Sequence, residues 1–258
     1  MQYTPLWLTA QRLTTKPIKF GCIVPELIAM SSQDDYYKDR RECIMALSNA
    51  LREELVELAD AGCAAIQMEE PQVHLIGPRG GQDSVMTPDF MVDVFNNTVR
   101  GLRDKTEVWC HTCWGNPAQQ RIITDSQSYQ PVLEKMNRCD ADVITFETCT
   151  SGGVDLEAIG KHITGKKIAI GVIDHHSLQV ETPDDVAAFI RRALKHIPAE
   201  RLVITSDCGM GREGMSRRHA FYKMVSLVRG TNIVRHELGL PEAQCLAADG
   251  KYSLTQTI

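Results

Sequence analysis

The sequence contains no apolar run approaching the roughly 20 residues that a membrane-spanning helix requires; its longest, such as Ile168–Ile173, are far shorter. It has no Gly/Ser-rich or Pro-rich linker. With 18 Gly and 11 Pro among 258 residues, collagen-like and low-complexity chains are excluded. An excess of basic residues is also absent: 28 Lys plus Arg face 33 Asp plus Glu, a net charge of −5. Nothing in that balance favours nucleic acid or an anionic membrane, and small-molecule chemistry is the expectation. The first residues, MQYTPLWLTAQRL, lack a basic start, a continuous apolar stretch and a small-residue cleavage site. They do not read as a secretory signal, so a cytoplasmic location is expected. An even cysteine framework is missing too. The nine Cys (22, 43, 63, 110, 113, 139, 149, 208 and 245) are scattered, which argues against a disulfide scaffold and for free thiols or a metal site.

What is present is ordinary globular composition, 43% hydrophobic and 24% charged, in a chain long enough to bury a substantial core. Short β-prone runs alternate with segments whose apolar residues recur at helical spacing. The strands expected are Ile18–Val24, Ala64–Met68, Glu107–His111, Val143–Glu147, Lys167–Ile173 and Leu202–Thr205. Helices are expected over 36–61, Pro88–Leu102, Gln130–Asn137, Leu156–Ile163, Pro183–His196 and Arg217–Val228. Thr87 before Pro88-Asp89 and Thr182 before Pro183-Asp184 read as N-caps with proline at the first helical position. Repeated βα units imply a parallel sheet with helical crossovers, so the fold class is α/β. Six strands suit an open doubly wound sheet, whereas a (βα)₈ barrel needs eight. No linker divides the chain, and residues 1–258 read as one domain. The segment 72–86, with Gly77-Pro78-Arg79-Gly80-Gly81, is the longest irregular stretch and matches no phosphate-binding fingerprint.

Chemistry-bearing residues collect at the C-terminal ends of these strands, where α/β folds place active sites. His111 and Cys113, two apart in an extended segment, point to the same side and can grip one ion. Glu147 closes the next strand, and Cys208 follows another in the context Asp207-Cys208-Gly209. Thiolate and imidazole are the preferred zinc ligands, and a carboxylate can complete a tetrahedron. The plainer reading, buried core thiols and a hydrogen-bonded core histidine, stays open for each residue taken alone. Cys110 should face away from His111 into the core, and Cys149 is a weaker candidate ligand. Asp174-His175-His176-Ser177 offers a histidine suited to proton transfer near neutral pH, or a structural Asp–His hydrogen bond. Glu69 and Glu70 are paired carboxylates at a strand end, fit either to hold a substrate amine or to sit solvated. Arg212 and Glu213 could hold an anionic group.

In order along the chain, Ile66-Gln67-Met68-Glu69-Glu70-Pro71, His111-Thr112-Cys113, Ile144-Thr145-Phe146-Glu147-Thr148, the segment 171–177 (GVIDHHS) and Asp207-Cys208-Gly209 resemble the catalytic domain of cobalamin-independent methionine synthase and its thiol-alkylating relatives. The likeness covers nearly the whole chain, including Tyr36–Tyr37 with the long helix after it, and Asn232-Ile233-Val234-Arg235. It implies a (βα)₈ TIM barrel of the methionine synthase/uroporphyrinogen decarboxylase-like type, reversing the preference from strand count. It also implies a catalytic Zn2+ held by His111, Cys113, Glu147 and Cys208. His176 would be the catalytic acid, with Asp174 beside it. Glu69, where methionine synthases carry Asp, would contact the amino-acid substrate, with Glu70 as a second carboxylate. On this alignment Ile18–Val24 is the third barrel strand, and the first two, with a Ser-x-x-Glu homocysteine element, are absent. The barrel is therefore expected to be N-terminally incomplete.

The activity implied is zinc-dependent methyl transfer to the thiol of homocysteine from 5-methyltetrahydrofolate or another methyl donor. An alternative is thiol alkylation of the epoxyalkane:coenzyme M transferase kind, and a third is a non-catalytic zinc-binding fragment or interaction module. A small-molecule thiol and an alkyl donor are the expected partners, together with homo-oligomer formation through exposed strand edges.

Overall fold

In a computed structural model of the chain, the structure describes residues 2–69, 73–76, 86–115, 128–211 and 215–244. Among them the order is α1 (Tyr3–Gln11), β1 (Phe20–Ile23), α2 (Pro25–Met30), α3 (Arg40–Asp60), β2 (Ala65–Glu69), α4 (Val73–Ile76), α5 (Pro88–Val99) and β3 (Glu107–His111). There follow α6 (Leu133–Met136), β4 (Val143–Phe146), α7 (Leu156–His162), β5 (Lys167–Gly171), α8 (Pro183–Ala193), β6 (Leu202–Thr205) and α9 (Arg217–Glu237). Short 3₁₀ turns precede α6 (Gln130–Val132) and β6 (Ala199–Arg201). The six strands form one sheet in the order β1-β2-β3-β4-β5-β6, with β1–β2, β2–β3, β3–β4 and β5–β6 each paired in parallel. This is the sequential βα arrangement of a TIM-type fold.

All six expected strands are present, each within two residues of its expected ends. The helices differ in instructive places. The stretch 130–137 is a 3₁₀ turn followed by a single α turn. Pro131 sits in that turn, and a proline has no N–H for a continuing helical ladder. α9 runs on to Glu237, through the Gly230-Thr231-Asn232 that would ordinarily mark a stop. Within 72–86, a single helical turn occupies Val73–Ile76; most of the rest lies outside the described residues.

Packing divides the chain into two compact units: residues 1–112, 129–145 and 162–167, and residues 113–128, 146–161 and 168–258. In the first, burial alternates along β2 and β3: Ile66, Met68 and Val108 have no exposure and Cys110 1%, while Gln67 and Trp109 between them are partly exposed. That period of two is the pleat, and it points one row of side chains at the core built by Leu51, Leu55 and Leu58 of α3 with Met91, Val94 and Phe95 of α5. Cys110 lies in that core against Cys139, as its strand position requires, and the hydrogen bond with Cys139, followed by burial, pushes its thiol well above the ordinary range. In the second unit β5 is an almost continuous buried run, as expected of a strand covered on both faces. α8 and α9 pack closely because Gly230 has no side chain: a Cβ there would lie 2.5 Å from Val186 Cβ and 2.6 Å from the Pro183 carbonyl. None of the described helices is long and apolar enough to cross a membrane.

Candidate metal centre and catalytic loops

Among the described residues, two groups of side chains able to hold a metal ion lie within the second unit: Glu147 with His175 and His176, and Asp174 with His175 and Asp207. The thiols of Cys113 and Cys208 come together in the second unit, Sγ to Sγ 3.5 Å, with the Cys208 thiol donating to Cys113. A disulfide would bring them to about 2.05 Å. Two thiolates on opposite arms of a zinc tetrahedron, each about 2.3 Å from the ion, stand about 3.8 Å apart. The pair thus has the spacing of metal ligands. Cys113 is 1% exposed and Cys208 partly exposed.

His111 is the last residue of β3, and only Thr112 separates it from Cys113. Its Nδ1 lies 2.7 Å from Thr145 Oγ1, so Nε2 is the nitrogen left to bind an ion. The same hydroxyl accepts from the Thr112 N–H at 3.2 Å, and Thr112 Oγ1 donates to the Thr145 carbonyl at 2.6 Å. Glu147 follows the end of β4 and is fully buried. Its Oε2 accepts from the Trp114 N–H and its Oε1 from the Thr150 hydroxyl, both at 2.6 Å. The carboxylate is thereby tied to the segment that follows Cys113.

Asp207, beside Cys208, is an organiser that the sequence reading did not single out. Its Oδ1 accepts from the N–H groups of Thr148 and Cys149, both 2.9 Å, and its Oδ2 from Thr150 at 2.8 Å. One carboxylate therefore satisfies three consecutive backbone donors of the turn after β4. Burial and the Glu147 carboxylate push its pKa up to about 8, against the pull of those donors. Gly171 makes the arrangement possible, since a Cβ there would stand 1.9 Å from Asp207 Oδ1. Burial and then Asp207, Glu181 and Asp174 hold the Cys149 thiol far above the ordinary range.

His175 and His176 lie on the turn after β5. Their rings are 3.9 Å apart between centroids, and the Nε2 of each is 3.2 Å from the Gly115 carbonyl. Asp174 Oδ1 accepts from the His176 N–H at 2.7 Å and lies 3.8 Å from His176 Nδ1. The structure thus brings Asp174, His175, His176, Glu147, Cys113 and Cys208 into the second unit.

Glu69 ends β2 in the first unit, in register with Ile23 of β1 and His111 of β3. Its exposed carboxylate accepts from Gln67 Nε2 at 3.2 Å and folds over Gly21, where a Cβ would meet Oε1 at 2.6 Å. Glu70, Arg212 and Glu213 lie outside the described residues.

A sequential parallel βα sheet with Cys, His and carboxylate side chains at its strand ends is the arrangement of a TIM-barrel-type fold carrying candidate metal ligands. Comparison with known proteins narrows this: residues 6–229 match the model of the cobalamin-independent synthase catalytic domain, and the chain belongs to that family. It is 31% identical to the methionine synthase of Saccharolobus solfataricus over 224 residues, 87% of this chain and 60% of that protein. It is also 31% identical to the 5-methyltetrahydropteroyltriglutamate–homocysteine methyltransferase of Aeromonas salmonicida over 229 residues, 89% of this chain and 28% of that one. A solved B12-independent methionine synthase from Shewanella sp. W3-18-1, in complex with selenomethionine, superposes with a TM-score of 0.79 at 28% identity, covering 92% of this chain and 67% of that one. The chain therefore spans about three fifths of the archaeal relative and little more than a quarter of the longer bacterial one.

Proposed function

We propose that residues 1–258 act as one zinc-dependent S-methyltransferase domain, transferring a methyl group to the thiol of homocysteine. The observation that carries the reading is the 3.5 Å Cys113–Cys208 pair at strand ends, within a chain whose match to the catalytic domain runs through both units. The ligands proposed are Cys113, Cys208, His111 through Nε2, and Glu147. His111 needs no distant contact to serve, because it precedes Cys113 by two residues of one extended segment. Glu147 is the weakest donor of the four and is already shared with Trp114 and Thr150, which suits it to yield its place to substrate. When bound, zinc would lower the pKa of an incoming thiol so that the thiolate exists at neutral pH.

The remaining steps fall to the chain's own residues. Thiolate sulfur attacks the methyl carbon, the carbon–nitrogen bond of the donor breaks, and its electron pair stays on nitrogen. That nitrogen must be protonated as it leaves, and His176 is the proposed donor, with Asp174 Oδ1 holding its backbone N–H. Glu69 is proposed to take the ammonium of the amino-acid substrate. Its level with His111 in the sheet supports this. The donor proposed is 5-methyltetrahydrofolate or a close relative, and the location proposed is cytoplasmic.

The test is a product assay on the zinc-loaded chain with homocysteine and a methylated folate. S-methyl product with about one zinc per chain, and loss of both in Cys208→Ser, is expected. Product from coenzyme M and an epoxide, with none from homocysteine and any methyl donor, would replace this reading with thiol alkylation of the coenzyme M kind.

A further inference from the structure

A fully buried lysine sits behind the His175–His176 turn. Lys223 of α9 has no exposed side-chain surface, yet its ammonium is saturated. It donates to the Asp174 carbonyl at 3.0 Å, to the Gln179 carbonyl at 2.5 Å and to both oxygens of Glu181 at 2.9 and 3.0 Å. Glu181 Oε1 in turn accepts from the Asp174 N–H at 2.9 Å. Residues 174 and 179–181 are thus closed onto one ammonium, and His175 and His176 ride on the loop between them.

Burying a lysine and a glutamate is costly unless each polar atom is satisfied. An apolar pair of similar volume would serve packing at least as well. What an apolar pair would not do is fix the two ends of this turn relative to α9. The next link is Asp174, whose N–H and carbonyl are both engaged by the pair while its Oδ1 holds the His176 N–H at 2.7 Å. Motion of residue 174 is therefore passed directly to the backbone of His176.

We propose that Lys223, with Glu181 as its counter-ion, is a positioning residue for His176. It closes the 174–181 loop so that the imidazole is held where a leaving nitrogen must be protonated. The proposal rests on the proton-donor reading of His176 given above, and it adds two residues that touch neither metal nor substrate. A donor whose leaving group departs as a neutral thioether, such as a methyl sulfonium, needs no proton: sulfur attacks the methyl, the carbon–sulfur bond breaks and its pair stays on the departing sulfur. An N-methyl donor does need one. The ratio of the two rates therefore isolates the contribution of His176.

The experiment uses the zinc-loaded full chain, its Lys223→Met variant and the Lys223→Met/Glu181→Leu double variant. In Lys223→Met, amide exchange across 174–181 should rise about tenfold while β5 and β6 keep their protection, with zinc content unchanged. The ratio of kcat for an N-methyl folate to kcat for a methyl sulfonium should fall at least about tenfold, a general acid being worth roughly 100-fold or more. KM for the thiol should stay within about threefold of the parent, since ground-state binding is not what the loop supplies. The double variant removes the carboxylate left without its counter-ion, so thermal stability should recover while neither the exchange nor the rate ratio does. Unchanged exchange across 174–181, or a rate ratio that recovers along with stability, overturns the proposal. If the parent chain transfers methyl from neither donor, the methyltransferase reading is what fails, and the exchange measurement still decides whether Lys223 fixes the loop.

Discussion

At the scale of single residues, a metal ligand works only as well as the groups that orient it. His111 is aimed by one hydroxyl, that of Thr145, which also accepts from the Thr112 N–H. Thr145→Val keeps the shape and removes both bonds. Zinc affinity should fall about 10- to 100-fold while the far-UV spectrum is unchanged, as a competition titration against a chromogenic chelator would read; unaltered affinity would show that His111 is not a ligand. Cys22 shows the opposite condition, a thiol with no chemistry to perform. It is 5% exposed, its Sγ donates to Met68 Sδ at 3.4 Å, and burial followed by the Glu69 charge pushes its pKa up to about 12. The sign follows. Below the unfolded value near 9 both states keep the proton and nothing is lost. As pH rises from about 9 toward 12, only the unfolded chain releases it, so this thiol makes the fold progressively less stable there. Iodoacetamide at pH 8.5 should leave Cys22 unmodified in the native chain and label it in guanidinium.

The candidate ligands' places at strand ends were legible in the sequence, because His-x-Cys, Glu and Cys each follow a recognisable β-prone run. Thr145, Asp207, Glu181 and Lys223 were not. A threonine inside an apolar strand or a lysine within a helix carries no local mark. Thr145 bonds Thr112 across 33 residues, Asp207 bonds Thr148 across 59 and Lys223 bonds Asp174 across 49, and only the fold brings them together. Glu69 was legible as a strand-end carboxylate, but its seat over Gly21 depends on β1–β2 register.

At the scale of elements, helix starts proved easier to read than helix ends. Thr87 caps α5 by accepting from the Phe90 N–H at 3.2 Å, and Thr182 caps α8 in a full capping box with Asp185, both with proline next in line. These are local devices, written in three or four adjacent residues. Replacing Thr182 by Ala should lower stability by about 1 kcal/mol, measured by urea unfolding with an unchanged m-value. α9 runs past the expected end at Val228 to Glu237, and Gly230 within it is there for its missing side chain. Since a Cβ would meet the Pro183 carbonyl at 2.6 Å, a backbone atom that cannot swing aside, Gly230→Ala should cost more than the Thr182 change despite the higher helix propensity of alanine. α1 and α2 gave little signal, being short and burying only two residues each.

At the scale of the whole molecule, counting strands pointed to an open sheet and motif order pointed to a barrel; the match to B12-independent methionine synthase resolves the two. Six strands in sequential order are what both arrangements share, so the count alone had no power to separate them. The candidate ligands come from three stretches far apart in the chain, 111–113, 147 and 208. An unfolded chain cannot gather them around one ion, so zinc held by the proposed ligands would bind the native state selectively and stabilise it by mass action. At free zinc 1,000 times the dissociation constant the gain is about 4 kcal/mol. For a chain of 258 residues that corresponds to a rise in Tm of about 10 °C. Stripping the metal with a chelator should remove that increment, and restoring zinc should return it. Cys113→Ser and Cys208→Ser should each show a Tm close to that of the stripped parent and little response to added zinc. A stripped parent that melts where the loaded one does, with zinc still binding at one per chain, would mean that the ion sits on a site already formed in the unfolded chain, which no set of ligands spread over 97 residues can provide.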